Sequence, residues 1–183
     1  MTKSIPTIKG IFVNSQVASV RNSKGEEGLK ELEKRYGKPI KFGNVEDVPV
    51  AEEVRLIELA VQIINDDKIS QDELAFEAGK LHFVNFATTP LARMIFSIMK
   101  DLKYILLNSK YISEHVFRGM DFNSEALDQF RIKITIEGGV YPLNHFKGLW
   151  WAWCENFGYK PKIEATQLSP EKYEYIIDLS EKK

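Results

Sequence analysis

Three histidines, His82, His115 and His145, and one cysteine, Cys154, are the side chains of this 183-residue sequence best suited to soft metal ligation. A zinc site is signalled by Cys-x-x-Cys or His-x-x-x-His, spacings that place two donors on one turn of helix or loop. No such pair occurs, and the histidines are scattered along the chain, so no metal site is expected. Cys154 sits in an apolar, aromatic stretch. A lone cysteine there behaves as a small buried hydrophobe, whereas a reactive thiol needs an electropositive, accessible setting. Glu52-Glu53 and Asp66-Asp67 are adjacent pairs, whose side chains diverge on a helix or sit in a turn, and they read as solvated surface charge. No glycine-rich phosphate loop follows a strand, and no Gly-x-Ser-x-Gly elbow or EF-hand loop is found. The one cluster of titratable groups in view is Glu137, Tyr141 and His145, at a turn between strand and helix. It would serve an enzyme acting on a hydrophobic small molecule; no residue is assigned a catalytic role.

The elements that must position these groups follow from periodicity. Residues 25–37 place Leu29, Leu32 and Tyr36 at helical spacing, with Gly37 as a stop. Pro39 and Pro49 bracket a loop, and Val54, Ile57, Val61 and Ile64 then form the stripe of an amphipathic helix over residues 50–64. Ser70 and Glu73 have the spacing of a capping box, which predicts a helix to about Phe86. Thr89-Pro90 opens another, and residues 91–107 are apolar enough to predict one long, central helix. Residues 108–130 carry no clear period. At Arg131 the pattern becomes alternating: Ile132, Ile134 and Ile136 face one way and Arg131, Lys133, Thr135 and Glu137 the other, a strand with one buried face that turns at Gly138-Gly139. A helix over residues 143–157 and two strands, 162–166 and 173–179, joined around Ser169-Pro170, complete the chain.

The late helix holds all three tryptophans. Leu143, Phe146, Trp150, Trp153 and Phe157 are spaced 3 and 4 apart and share one face, with Cys154 at its edge. That face is predicted to be core. Trp151 projects roughly 120° away and needs a second surface: a pocket mouth, a partner chain, or cover from a loop or another helix.

Composition narrows the function class. With 25 basic against 26 acidic residues the sequence lacks the basic balance of nucleic-acid binders. The start, Met-Thr-Lys-Ser, lacks the apolar core of a leader, and no run approaches the ~20 apolar residues of a membrane span. A cytoplasmic protein is expected, folded as one unit over residues 1–183, with residues 1–107 mainly helical and residues 131–179 as strand, helix, strand, strand.

Several local phrases carry a resemblance. Lys9-Gly-Ile-Phe-Val-Asn, Glu77-Ala-Gly-Lys80 followed by Phe86, and Phe146-Lys-Gly148 opening a late helix resemble the haem nitric-oxide-binding (H-NOX) domains and their haem-free relatives. Those relatives include the 4-vinyl-reductase-type ligand-binding domains and a myxobacteria-centred domain of unknown function. The resemblance implies an α+β fold, a helical N-terminal layer packed on a small antiparallel sheet with a late aromatic helix, around an apolar cavity. It also implies where haem would be held. The iron-binding histidine would lie in residues 91–107, which contain none; Lys103 and Tyr104 occupy that region. The Tyr-x-Ser-x-Arg that grips the propionates is here Tyr111-Ile-Ser-Glu-His115. No cofactor is therefore expected. The function these readings favour is a non-catalytic sensory or adaptor module that binds a small apolar ligand or a partner protein, a homodimer included. Trp151, Phe83, Phe86, Met94, Met99 and Tyr104 are the candidate pocket or interface residues.

Overall fold

The alternating stretch Arg131–Glu137 is a strand at the centre of the back half. The computed structural model describes residues 5–183, apart from the side chain of residue 72. The first four residues, which enter the leader reading, lie outside the described residues. In chain order the elements are β1 (Thr7–Lys9), α1 (Gly10–Tyr36), β2 (Asp47–Pro49), α2 (Val50–Ile64), α3 (Gln71–Ala87), α4 (Pro90–Ile98) and α5 (Leu102–Leu107). They continue with α6 (Ser109–Glu114), β3 (Phe117–Arg118), β4 (Asp121–Ala126), β5 (Arg131–Glu137), α7 (Leu143–Asn156), β6 (Lys162–Ser169) and β7 (Lys172–Asp178). The class is α+β. A four-stranded antiparallel sheet runs β4-β5-β7-β6, and a small sheet, β2-β1-β3, pairs the entry to α1 with the segment after α6.

The main sheet is set by alternation. Ile132, Ile134 and Ile136 are fully buried, and they face Ile177, Tyr175 and Tyr173 of β7 directly across the ladder. On the outer face Lys133 pairs with Glu125 of β4 and Glu174 of β7. Burial of each isoleucine contributes about 1.5–3 kcal/mol. Residues 108–130, to which periodicity assigned nothing, supply α6, β3 and the edge strand β4, in register with β5 from Asp121 to Ala126.

Two helical expectations are corrected. The first helix begins at Gly10, fifteen residues before the predicted start, and passes through a kink at Gly25, whose φ of 68° is outside the helical region. Its front half buries Phe12, Val13, Gln16 and Val20; the glutamine in that stripe hides the apolar period. The long central helix over residues 91–107 is instead two short ones. Asp101 caps a new start by accepting from the Lys103 N–H at 2.8 Å. Neither is the first of the two central: only Ala92 and Ile95 of α4 are buried, while Met94 and Ile98 are 44% and 71% exposed. The Ser70–Glu73 capping box forms as predicted.

Candidate functional site

Helices α3 and α7 cross at glycines. A Cβ on Gly79 would lie 1.8 Å from the carbonyl oxygen of His145, and one on Gly148 would lie 1.9 Å from that of Phe76. The backbones touch because neither position carries a side chain. One turn from each glycine is a histidine, and the close crossing brings the two rings together: His82 Nδ1 and His145 Nε2 are 3.1 Å apart. Two of the three histidines scattered along the sequence thus meet in space; the third, His115, lies apart, with its Nδ1 2.8 Å from the Tyr111 carbonyl oxygen. Burial holds the His82 imidazole down to about 4, and burial followed by the His82 charge holds His145 well below its usual value. With both rings neutral, one nitrogen of the pair carries the hydrogen and the other accepts it.

Glu53 joins this pair from α2. Its side chain is fully buried, which corrects the expectation that Glu52-Glu53 is solvated charge; Glu52 alone behaves so, pairing with Lys38 at 2.6 Å. Tyr141 donates its hydroxyl to Glu53 Oε2 at 2.6 Å, and Gln16 of α1 donates its amide to Oε1. Burial pushes the Glu53 carboxyl up to about 7, against the pull of those two bonds and with a smaller push from Glu58. Its Oε1 lies 3.9 Å from His82 Nδ1, but an imidazole titrating near 4 makes this a contact with a neutral ring rather than an ion pair at neutral pH. Tyr141 stacks obliquely on His145 at 4.4 Å, and burial followed by the Glu53 charge raises its phenol well above the usual range. Of the expected cluster, Tyr141 and His145 therefore meet, and Glu137 does not: it is exposed on β5, paired with Lys172 at 3.2 Å. Glu53 takes its place. Among the described residues, no group of three or more His, Cys, Asp or Glu is arranged to hold a metal ion.

On its other side His82 borders a cavity of about 50 Å³. The walls are Phe86 of α3, Ile105 of α5, Ile112 and Ser113 of α6, and Leu149, Trp150 and Trp153 of α7. Val116, Phe117 and Phe122 close it toward the strands, and Ser109 completes it. The lining is almost entirely carbon. Ser113 donates to the Lys110 carbonyl at 2.8 Å, but Ser109 Oγ and Trp150 Nε1 are buried with no hydrogen-bond partner. An unsatisfied buried donor costs about 1–3 kcal/mol.

The candidate residues separate around this cavity. Phe86 lines it, and Phe83 and Phe86 both pack on Trp153, with ring centroids at 5.0 and 5.5 Å. Trp151 is half-buried, its second surface being α3, where Phe76 meets it edge-on at 6.0 Å. Met99 is partly buried behind α4, and Met94 and Tyr104 are at the surface. Cys154 is fully buried, and burial raises its thiol to about 12. Periodicity missed Glu53, Gln16 and Ser109. The first two had a signal: each is a polar residue three or four positions from buried apolar neighbours, Val50, Leu56 and Ile57 for Glu53 and Phe12, Val13 and Val20 for Gln16.

No protein-family model and no curated protein matches the sequence. Solved structures do. An oxygen-binding H-NOX domain related to soluble guanylate cyclases, solved as its oxygen complex, superposes with a TM-score of 0.71 at 13% identity, over 96% of each chain. A mutant of the T. tengcongensis H-NOX gives 0.69 at 15% identity, over 96% of this chain and 99% of that one. An unliganded Fe(II) H-NOX mutant from K. algicida gives 0.68 at 16% identity, over 95% and 97%. The chain has an H-NOX-like fold.

Proposed function

We propose that the chain is a non-catalytic sensory or adaptor module, working in the cytoplasm, that holds a small apolar ligand in the cavity between α3, α5, α6 and α7. The cavity itself carries this reading: it is carbon-walled, set where the helical layer meets β3 and β4, and bordered by buried donors that nothing in the protein satisfies. A ligand there would touch α6 and the short strand after it, so its arrival and departure would be felt by those elements. Apolar side chains exposed on α4 and α5, Met94, Ile98 and Tyr104, are the surface on which a second copy or a partner protein would read that state.

Other solved structures of the same fold, at TM-scores of 0.70 and 0.68, concern haem redox potential and haem distortion. The residues of this chain do not fit haem. About 50 Å³ is far below the ~300–1,000 Å³ that encloses even a drug-sized ligand, because Trp150, Trp153, Phe117 and Phe122 fill the space. Neither α4 nor α5 carries a histidine, and His82 and His145 are turned on each other.

Xenon tests the proposal, since dry apolar cavities of suitable size take it up. Under xenon pressure the methyl resonances of Ile105, Ile112 and Leu149 should shift together, and amide exchange in α6 should slow. Methyls that stay fixed would show that the cavity admits no apolar guest.

A further inference from the structure

An apolar guest alone leaves part of the cavity wall unexplained. Trp150 and Ser109 both line it, both are at least nine-tenths buried, and Nε1 and Oγ bond to nothing in the protein. An indole N–H can only donate, so the missing partner is an acceptor. No lysine or arginine lines the cavity, which disfavours a carboxylate or phosphate, whose charge would be buried unpaired. A carbonyl oxygen is neutral and has two lone pairs, enough for both donors at once. Size sets the rest. At ~10–15 Å³ for each water-sized body, the space takes about three to five non-hydrogen atoms.

From this we infer, resting on the cavity reading above, that the ligand is a small neutral carbonyl compound. Its oxygen accepts from Trp150 Nε1 and Ser109 Oγ, and its carbon end lies against Phe86, Ile105 and Leu149. So few atoms bind weakly: the ceiling for four is a Kd of roughly 50 μM.

Acetone and isobutene, with the same atom count and shape but with C=O against C=CH2, separate the two layers of the inference by NMR titration. The Trp150 indole N–H is assigned by its absence in Trp150→Phe or, if that variant does not fold, by its contacts with the stacked Phe146 ring, 6.4 Å away. Acetone should move that N–H downfield, shift the Ile105, Ile112 and Leu149 methyls, and bind about fivefold to tenfold tighter than isobutene. Ser109→Ala should weaken acetone about threefold and leave isobutene unchanged. Isobutene binding as tightly as acetone overturns the carbonyl assignment while the cavity reading stands. If neither probe moves those methyls, or acetone shifts only surface residues, both fall.

Discussion

His82 has two neighbourhoods, and they treat buried polar atoms in opposite ways. Toward α1 and α2, Gln16 and Tyr141 both donate to Glu53, His145 bonds to His82 beside them, and Gln16 Oε1 is the single unpartnered atom among these side chains. Toward α5 and α6 the wall is carbon, and two donors bind nothing. A polar group that the fold pairs internally is there to fix the packing of the elements that carry it. One that the fold buries and leaves single is a cost to the empty protein that a guest can remove.

The largest effect should come from the crossing that both regions share. Gly148→Ala drives a methyl into the Phe76 carbonyl, so α3 and α7 must part; a loss of about 3 kcal/mol or outright failure to fold is expected by denaturant titration. A loss below about 1 kcal/mol would mean that the crossing yields easily and that the two regions are not held by it.

Tyr141→Phe probes the paired side alone. It strips the donor from Glu53 Oε2 and should cost about 1–3 kcal/mol, with the xenon response of the cavity methyls unchanged. Mutual dependence of the two would break the contrast.

Next comes pH. The Glu53 carboxyl is raised to about 7, so the stability it contributes is full below its ordinary 4.5 and is lost as pH rises through about 7. His82 runs the other way, its contribution present above its ordinary 6.5 and lost as pH falls toward about 4. Glu53→Gln cannot ionise and can keep the Tyr141 bond. Relative to wild type, the variant should gain about 2 kcal/mol between pH 5 and pH 8, the histidine contribution cancelling in the difference. A flat difference would show that the carboxyl titrates normally.

The smallest effect is expected on the unpaired side. Ser109→Ala removes a buried hydroxyl that makes no bond, so the ligand-free protein should lose no stability and should gain up to about 1 kcal/mol, the cost of burying that hydroxyl single less that of the small void left behind. A loss equal to that of Tyr141→Phe would erase the distinction between the two regions.

How much of this was legible in the sequence varied with the kind of information involved. β5 and α7 are visible because one physical face meets one uniform environment, which writes a clean period of 2 or 3.6. The break at Met99-Lys100-Asp101 was legible too, through an aspartate placed to cap the next helix, but the apolar run masked it. Gln16 and Glu53 were half legible, as polar residues inside apolar stripes. That His82 and His145 share a hydrogen bond is a tertiary fact, set by an approach of helices 63 positions apart in sequence. The unpaired state of Ser109 and Trp150 is less legible still, because it depends on which neighbours fail to arrive.

The crossing of α3 and α7 leaves a trace that can be searched for. Gly79-Lys-Leu-His82 and His145-Phe-Lys-Gly148 share the phrase Gly-Lys-x-His, written forward and then in reverse with Leu81 in the place of Phe146, on two helices that meet head to tail. Each half keeps its meaning only while the other is intact, so the two should be inherited together or lost together. At identities of 13–16%, where alignment over the whole length carries little, such a paired palindrome offers a short fingerprint for picking out chains that bury the same two imidazoles.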